Sequence, residues 1–150
     1  MQGFQDEIKN IKNARIVAMV SVSSNAQSAT AGARKLLEEN PQINLLVGFN
    51  EWSTLGVGMA IKELGLKDRV CAIGFDNNTE CVGMLETGEL DTLIVQNPFS
   101  MGYLAVMNAA NILSGKKTES VIKTDVYVVD RSNMFSADVQ KILFGFDKYD

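Results

Sequence analysis

The feature that most constrains this chain is a repeating alternation of short, continuously apolar runs with stretches of helical periodicity. The runs are Arg15–Val20, Ile43–Phe49, Arg69–Phe75, Leu90–Val95 and Thr124–Val129, rich in Val, Ile and Leu. A strand wet on one face alternates apolar and polar residues, so runs that are apolar throughout predict strands covered on both faces. The first helical stretch is 1–12, with Phe4, Ile8 and Ile11 on one stripe. The second is 25–40, capped by Asn25, ended by Pro41 and turning Ala29, Ala33, Leu36 and Leu37 inward. Others follow at 53–64 (stopped by Gly65), 79–86 (closed by Gly88), 98–113 (opened by Pro98, with Gly115 beyond its end) and 136–146. Parallel strands need crossover helices, and such crossovers are right-handed. The expected fold is therefore α/β, a three-layer α/β/α sandwich with a parallel sheet, formed by a single domain of 150 residues. One irregularity stands out. The chain opens on a helix, not on the strand from which that helix would cross, which predicts a missing strand or half and marks the chain as a fragment.

Several functions lose their chemistry at once. The chain has no histidine, the commonest metal ligand and general base. Neither a metal nor a cofactor is expected. Ser and Cys nucleophiles have no imidazole to activate them, and no lysine stands at a strand exit, so the chain reads as a binder and not an enzyme. A glycosidase-like carboxylate pair, Glu51 with Asp76, is the one catalytic alternative. Cys71 and Cys81 lack metal or redox spacing and read as small core residues. The formal charge of −4 is spread along the chain, and Lys116 and Lys117 form only an isolated pair, so no nucleic-acid partner is expected. No apolar run approaches the ~18 residues of a membrane span, and the first four residues do not read as a signal peptide. Gly56 and Gly58 follow a strand but fall inside the next helix, where close helix packing explains them better than a nucleotide loop.

Ligands of parallel sheets bind beyond the carboxyl ends of the strands, where the strand-to-helix loops gather. The first four exits here are Ser21 to Asn25, Asn50 to Ser53, Asp76 to Thr79, and Gln96 to Pro98. Each carries hydroxyls or amides, two carry a carboxylate, and none carries Lys or Arg. A carboxylate can accept from two adjacent hydroxyls, and an amide both donates and accepts. Aromatic rings at Phe49, Trp52 and Phe75 could cover the C–H face of a sugar ring. A phosphate would call instead for glycine-rich loops or basic side chains. The same residues also serve as turns and caps, so the inference rests on all four exits together.

Nearly the whole chain, from Met1 to about Val129 and most plainly over 45–116, resembles the second lobe and hinge of type I periplasmic sugar-binding proteins, the ribose- and galactose-binding group of ABC transporters. The resemblance is carried by the Asn50-Glu51 turn, Gly74-Phe75-Asp76, Gly88 before a strand, and the run Gln96-Asn97-Pro98 with Met101-Gly102; Gly3-Phe4 fits the start of that lobe's first helix. It implies a Venus-flytrap protein that holds a monosaccharide between two lobes, this chain being the C-terminal one with its hinge segments. It also implies that Asn50, Asp76 and Gln96 hydrogen-bond the sugar, that Phe75 is a neighbouring contact, and that Ser24 and Asn25 lie at a further contact. The 98–114 helix would pack on the missing N-terminal lobe, an arginine of the site would lie upstream of Met1, and a membrane permease would be a partner. The parent would be extracytoplasmic, in the periplasm or as a lipoprotein. Effector domains of sugar repressors of the lactose/galactose type share the fold and are the rival; the run from Glu86 to Gly102 looks transporter-like. Without its partner lobe, the 98–114 helix is expected to dock back on its own sheet or to exchange between two copies in a homodimer.

Overall fold

Three of the expected strands lie side by side and parallel in the computed structural model, which describes residues 2–144. They are β1 (Leu45–Val47), β2 (Cys71–Phe75) and β3 (Thr92–Gln96). Register pairs Leu46 with Ala72 and Gly74 with Leu93. A fourth strand, β4 (Val126–Asp130), is antiparallel to β3, with Leu93 opposite Val129, so the sheet order is β1-β2-β3-β4. The helices are α1 (Gln2–Ile8), α2 (Ala26–Glu39), α3 (Glu51–Leu64), α4 (Thr79–Thr87), α5 (Pro98–Leu113) and α6 (Ala137–Phe144). The last expected helix extended to 146, and its final residues lie outside those described.

Local chemistry starts and stops these helices much as expected. Asn25, Asn50, Asn78 and Asn97 accept from backbone N–H groups in the first turns of α2, α3, α4 and α5. Gly65 and Gly88 end α3 and α4 with φ of 64° and 91°, a region where a side chain would be strained. Ala60, Ile61, Ala72, Leu85, Leu90, Leu93, Val95 and Val129 are fully buried at the centre. Each large member of that group contributes about 2 kcal/mol by leaving water. Helix α2 packs on α3 through Gly56, whose added Cβ would stand 2.5 Å from Ala29. The two glycines of α3 thus serve packing, as the sequence suggested. Cys81 is buried, but Cys71 is exposed at the start of β2, so only one cysteine is a core residue.

Two expectations need correction. The run Arg15–Val20 is extended but joins no sheet, and all of it is exposed. Its β-branched composition is right for a strand, but it has no neighbour to pair with. A groove of about 600 Å³ separates it from the free edge of β1. Likewise, α5 does not dock back on the sheet: none of its residues is buried. Leu85, Met134 and Leu143 belong to the core without α5, and Val126 and Val128 of β4 stay exposed as well. The α5 stripe of Phe99, Tyr103, Val106 and Leu113 stays exposed.

Candidate functional site

The carboxyl ends of β1, β2 and β3 lie along one edge of the sheet, and each delivers its exit residue there. Asp76 follows β2 with a φ of 70°, in the left-handed region where a non-glycine residue is held at a cost of about 1 kcal/mol. Its N–H still donates to the Ile94 carbonyl at 3.0 Å, so the ladder between β2 and β3 runs to its end before the chain turns. Gln96, the last residue of β3, donates from Nε2 to Asp76 Oδ1 at 3.1 Å. Both are half-buried. This amide holds one carboxylate oxygen and leaves the other lone pairs able to accept from a ligand.

Beside this pair, Phe75 and Phe49 pack at 5.9 Å between ring centroids. Phe4 of α1 stands edge-on to Phe49 at 5.3 Å. Asn50 caps α3 in a reciprocal box: its Oδ1 accepts from Ser53 N–H at 2.9 Å, while Ser53 Oγ accepts from Asn50 N–H at 3.0 Å. The Asn50 Nδ2 group has no hydrogen-bond partner among the described residues. Asn50 and Ser24 both line the groove between residues 14–24 and β1. Asn25 lies outside that lining, and its Oδ1 accepts from Ser28 N–H at 2.8 Å. The structure thus joins Asp76 with Gln96, sets Phe75 beside Phe49, places Asn50 and Ser24 on one groove, and uses Asn25 as a helix cap.

Three residues not identified from the sequence hold the site in shape. Thr54, fully buried in α3, accepts from the Phe75 N–H at 2.7 Å and donates to the Phe75 carbonyl at 3.0 Å. That clamp fixes the backbone just before Asp76. Asn78 donates to Glu51 Oε1 at 2.8 Å while its Oδ1 caps α4. Glu51 is thereby engaged by Asn78, and Asp76 by Gln96, so the two carboxylates serve as separate struts. Asn77 donates to the Leu143 carbonyl at 2.6 Å and ties α6 to the same loop. For Asn77 and Asn78 the only sequence signal is their place at a strand exit, and Thr54 of α3 carries none; each depends on a partner more than 20 residues away.

The site edge is negative. Burial pushes the Cys81 thiol up to about 12, and the charges of Glu51, Glu80 and Asp76 add to the shift. An anionic ligand would meet repulsion here, whereas neutral hydroxyls would find acceptors. At the opposite end of β2, Asp91 accepts from the Ala72 N–H at 2.8 Å and pairs with Arg131 at 3.0 Å. Arg131 also donates to the Leu90 carbonyl at 3.0 Å, so that pair is a structural staple. No group of acidic, thiol or imidazole side chains suited to a metal ion occurs among the described residues. No described helix is long and apolar enough to cross a membrane.

The carboxyl edge of this α/β fold thus presents neutral and acidic hydrogen-bonding groups beside aromatic rings, features of a solute-binding fold. Comparison with known proteins agrees, since the periplasmic binding protein domain matches residues 1–117. The chain belongs to that family, in its type I, sugar-binding branch. It is 30% identical over 108 residues to the ribose import binding protein of Bacillus subtilis, covering 72% of this chain and 35% of that protein. A carbohydrate transporter solute-binding protein from Agrobacterium radiobacter, solved in complex with D-arabinose, superposes with a TM-score of 0.86 at 30% identity. That match covers 94% of this chain and 48% of the other. An ABC-transporter solute-binding protein from Agrobacterium vitis with bound D-fucose gives a TM-score of 0.86 at 31% identity, covering 95% and 49%. The chain thus spans about a third of the curated relative's length and about half that of the solved proteins.

Proposed function

We propose that this chain supplies one wall of a monosaccharide site, as the C-terminal lobe of the substrate-binding component of a sugar ABC importer. The observation that carries this reading is the Asp76–Gln96 pair, held at adjacent strand exits next to the Phe49–Phe75 rings. In this reading Asp76 and Gln96 accept from and donate to ring hydroxyls, Asn50 adds its free Nδ2, and Phe75 covers an apolar C–H face. Ser24 and Asn25 stand further out, where they would influence which sugar fits. The N-terminal lobe would bring the opposite wall and cover the exposed stripe of α5. Sugar would stabilise the closed form through contacts made to both lobes at once. The closed shape would then be offered to a membrane permease on the extracytoplasmic side.

Titration of the two-lobe protein with neutral pentoses, hexoses and their phosphates tests this reading by calorimetry and thermal shift. Saturable stabilisation by a neutral sugar is expected, with phosphates binding more weakly. Asp76→Ala should weaken binding about 100-fold, the loss of one or two charge-assisted hydrogen bonds. Turnover of sugar without saturable stabilisation, or a preference for phosphates, would defeat the reading.

A further inference from the structure

We propose that Asn77 is a positioning residue that ties the direction of the Asp76 carboxylate to helix α6, which makes that helix a working part of the ligand-binding edge. The proposal rests on the reading of Asp76 as a sugar contact and adds a second element that sets the strength of that contact. The matched family domain ends at residue 117 and α6 begins at Ala137, so α6 lies outside the match.

Asp76 needs holding from both sides. Its φ of 70° is a conformation that a non-glycine residue keeps only where its surroundings enforce it. On the amino side the restraint is complete: Thr54 engages both backbone groups of Phe75, and the Asp76 N–H donates to the Ile94 carbonyl. Those bonds fix where the chain enters the turn and leave its exit free. The exit is set by residues 77 and 78, both half-buried. Asn78 bonds Glu51 and the first turn of α4. Asn77, next to the carboxylate, bonds α6.

The α6 contact has the form of a helix cap supplied from across the fold. The last four carbonyls of an α-helix have no intrahelical donor. Asn77 Nδ2 lies 2.6 Å from the Leu143 carbonyl and 3.3 Å from that of Ile142, so one side-chain amide serves two of them. Its N–H groups also meet the negative end of the helix dipole. The helix is a firm anchor: Leu143 is 3% exposed in the core, Val139 and Ile142 pack against that core, and Gln140 Nε2 donates to the Met134 carbonyl at 2.6 Å. An asparagine side chain is short, so a displacement of α6 passes to the backbone at 77 with little slack. One residue away, the bond from Gln96 to Asp76 is already 3.1 Å long. A shift of about 0.5 Å would carry it beyond hydrogen-bonding distance.

NMR of the Gln96 side-chain amide reads the Asp76–Gln96 bond in the chain as it stands, without sugar. Asp76→Ala marks the chemical shifts of that amide when it has lost this acceptor. Asn77→Ala and the near-isosteric Asn77→Asp should both move the Gln96 signals towards those values. Asn77→Asp should move them further, because it sets an acceptor against the α6 carbonyls. Leu143→Ala, which loosens α6 without altering the turn, should act in the same direction. Asn40→Ala is the control: Asn40 Nδ2 donates to the Leu36 carbonyl at 3.0 Å, so this variant removes a comparable bond from the end of α2. It should lower the melting temperature by a similar amount and leave the Gln96 signals in place. Gln96 signals unchanged in both Asn77 variants, or moved equally by Asn40→Ala, would overturn the proposal. In the two-lobe protein, Asn77→Ala should weaken binding of a neutral sugar about tenfold, less than Asp76→Ala does, and unaltered affinity would also overturn it. Failure of every neutral sugar to bind would count against the proposed function alone, because the Gln96 signals decide the role of Asn77 without sugar.

Discussion

Replacing Gly74 by alanine tests how the site is held. A Cβ at this position would stand 2.1 Å from Thr54 Cγ2, 2.9 Å from its Oγ1 and 3.0 Å from its Cβ. Gly74 needs no unusual backbone angle, so the penalty is one of contact. Two relaxations are open. If β2 and α3 move apart, the added methyl overpacks the core at about 1–3 kcal/mol. If Thr54 rotates away, its two hydrogen bonds to Phe75 are lost, at about 1 kcal/mol each, and a buried N–H is left unpaired. Either route predicts a loss of about 2–3 kcal/mol. Thr54→Ser removes the methyl that clashes but keeps the hydroxyl, and alone should cost about 1 kcal/mol. Independent effects would sum to about 3–4 kcal/mol in the double variant. Relief of the clash should instead bring it to about 2, a coupling of at least about 1 kcal/mol. Urea unfolding followed by far-UV circular dichroism measures all four proteins, with an unchanged m-value as the control. Gly74→Ala within about 0.5 kcal/mol of the parent, or a strictly additive cycle, would show that the Thr54 clamp does not set the geometry before Asp76.

Two further outcomes follow from exposure and from pH. Val106→Asp should change the stability of the chain by no more than about 0.5 kcal/mol, because Val106 is 70% exposed in α5; light scattering should show it weakening association with a partner lobe, or the exchange of α5 between copies. The Cys81 thiol is raised from 9.0 to about 12, so between those values the unfolded chain loses the proton first. Its contribution to stability is fully present below pH 9 and falls as pH rises through about 12, at up to about 1.4 kcal/mol per pH unit. Denaturant melts of the parent and Cys81→Ala across this range check the sign, since the alanine variant should lose stability less steeply.

What could be read from the sequence was whatever is decided within a few residues. Asn25 caps a helix because an amide oxygen reaches an N–H three positions on, and Gly65 and Gly88 end helices because glycine adopts a positive φ without strain; Asn50 caps α3 in the same way as Asn25 caps α2, and α3 starts two residues earlier than expected. The strand exits were legible for a related reason: in a parallel sheet, chain direction alone sends Asn50, Asp76 and Gln96 to one edge. What joins those exits was not legible. Thr54 reaches Phe75 across 21 positions and Asn77 reaches Leu143 across 66, and no local pattern encodes either bond.

The run at 15–20 shows where the boundary falls. β-Branched residues make an extended chain favourable, but a strand is defined by a neighbour, and propensity says nothing about whether one is present. The same run therefore reads correctly as strand-forming and stands unpaired, with α1 and α2 already placed on its two sides. Such a segment conserves the layer of the sheet without completing it. The site edge survives because Asp76 and Gln96 depend on the paired ladder of β2 and β3, which β1 separates from the groove. Asn50 and Ser24 line the groove instead, and there Asn50 is fixed by its reciprocal cap with Ser53 and not by a sheet partner.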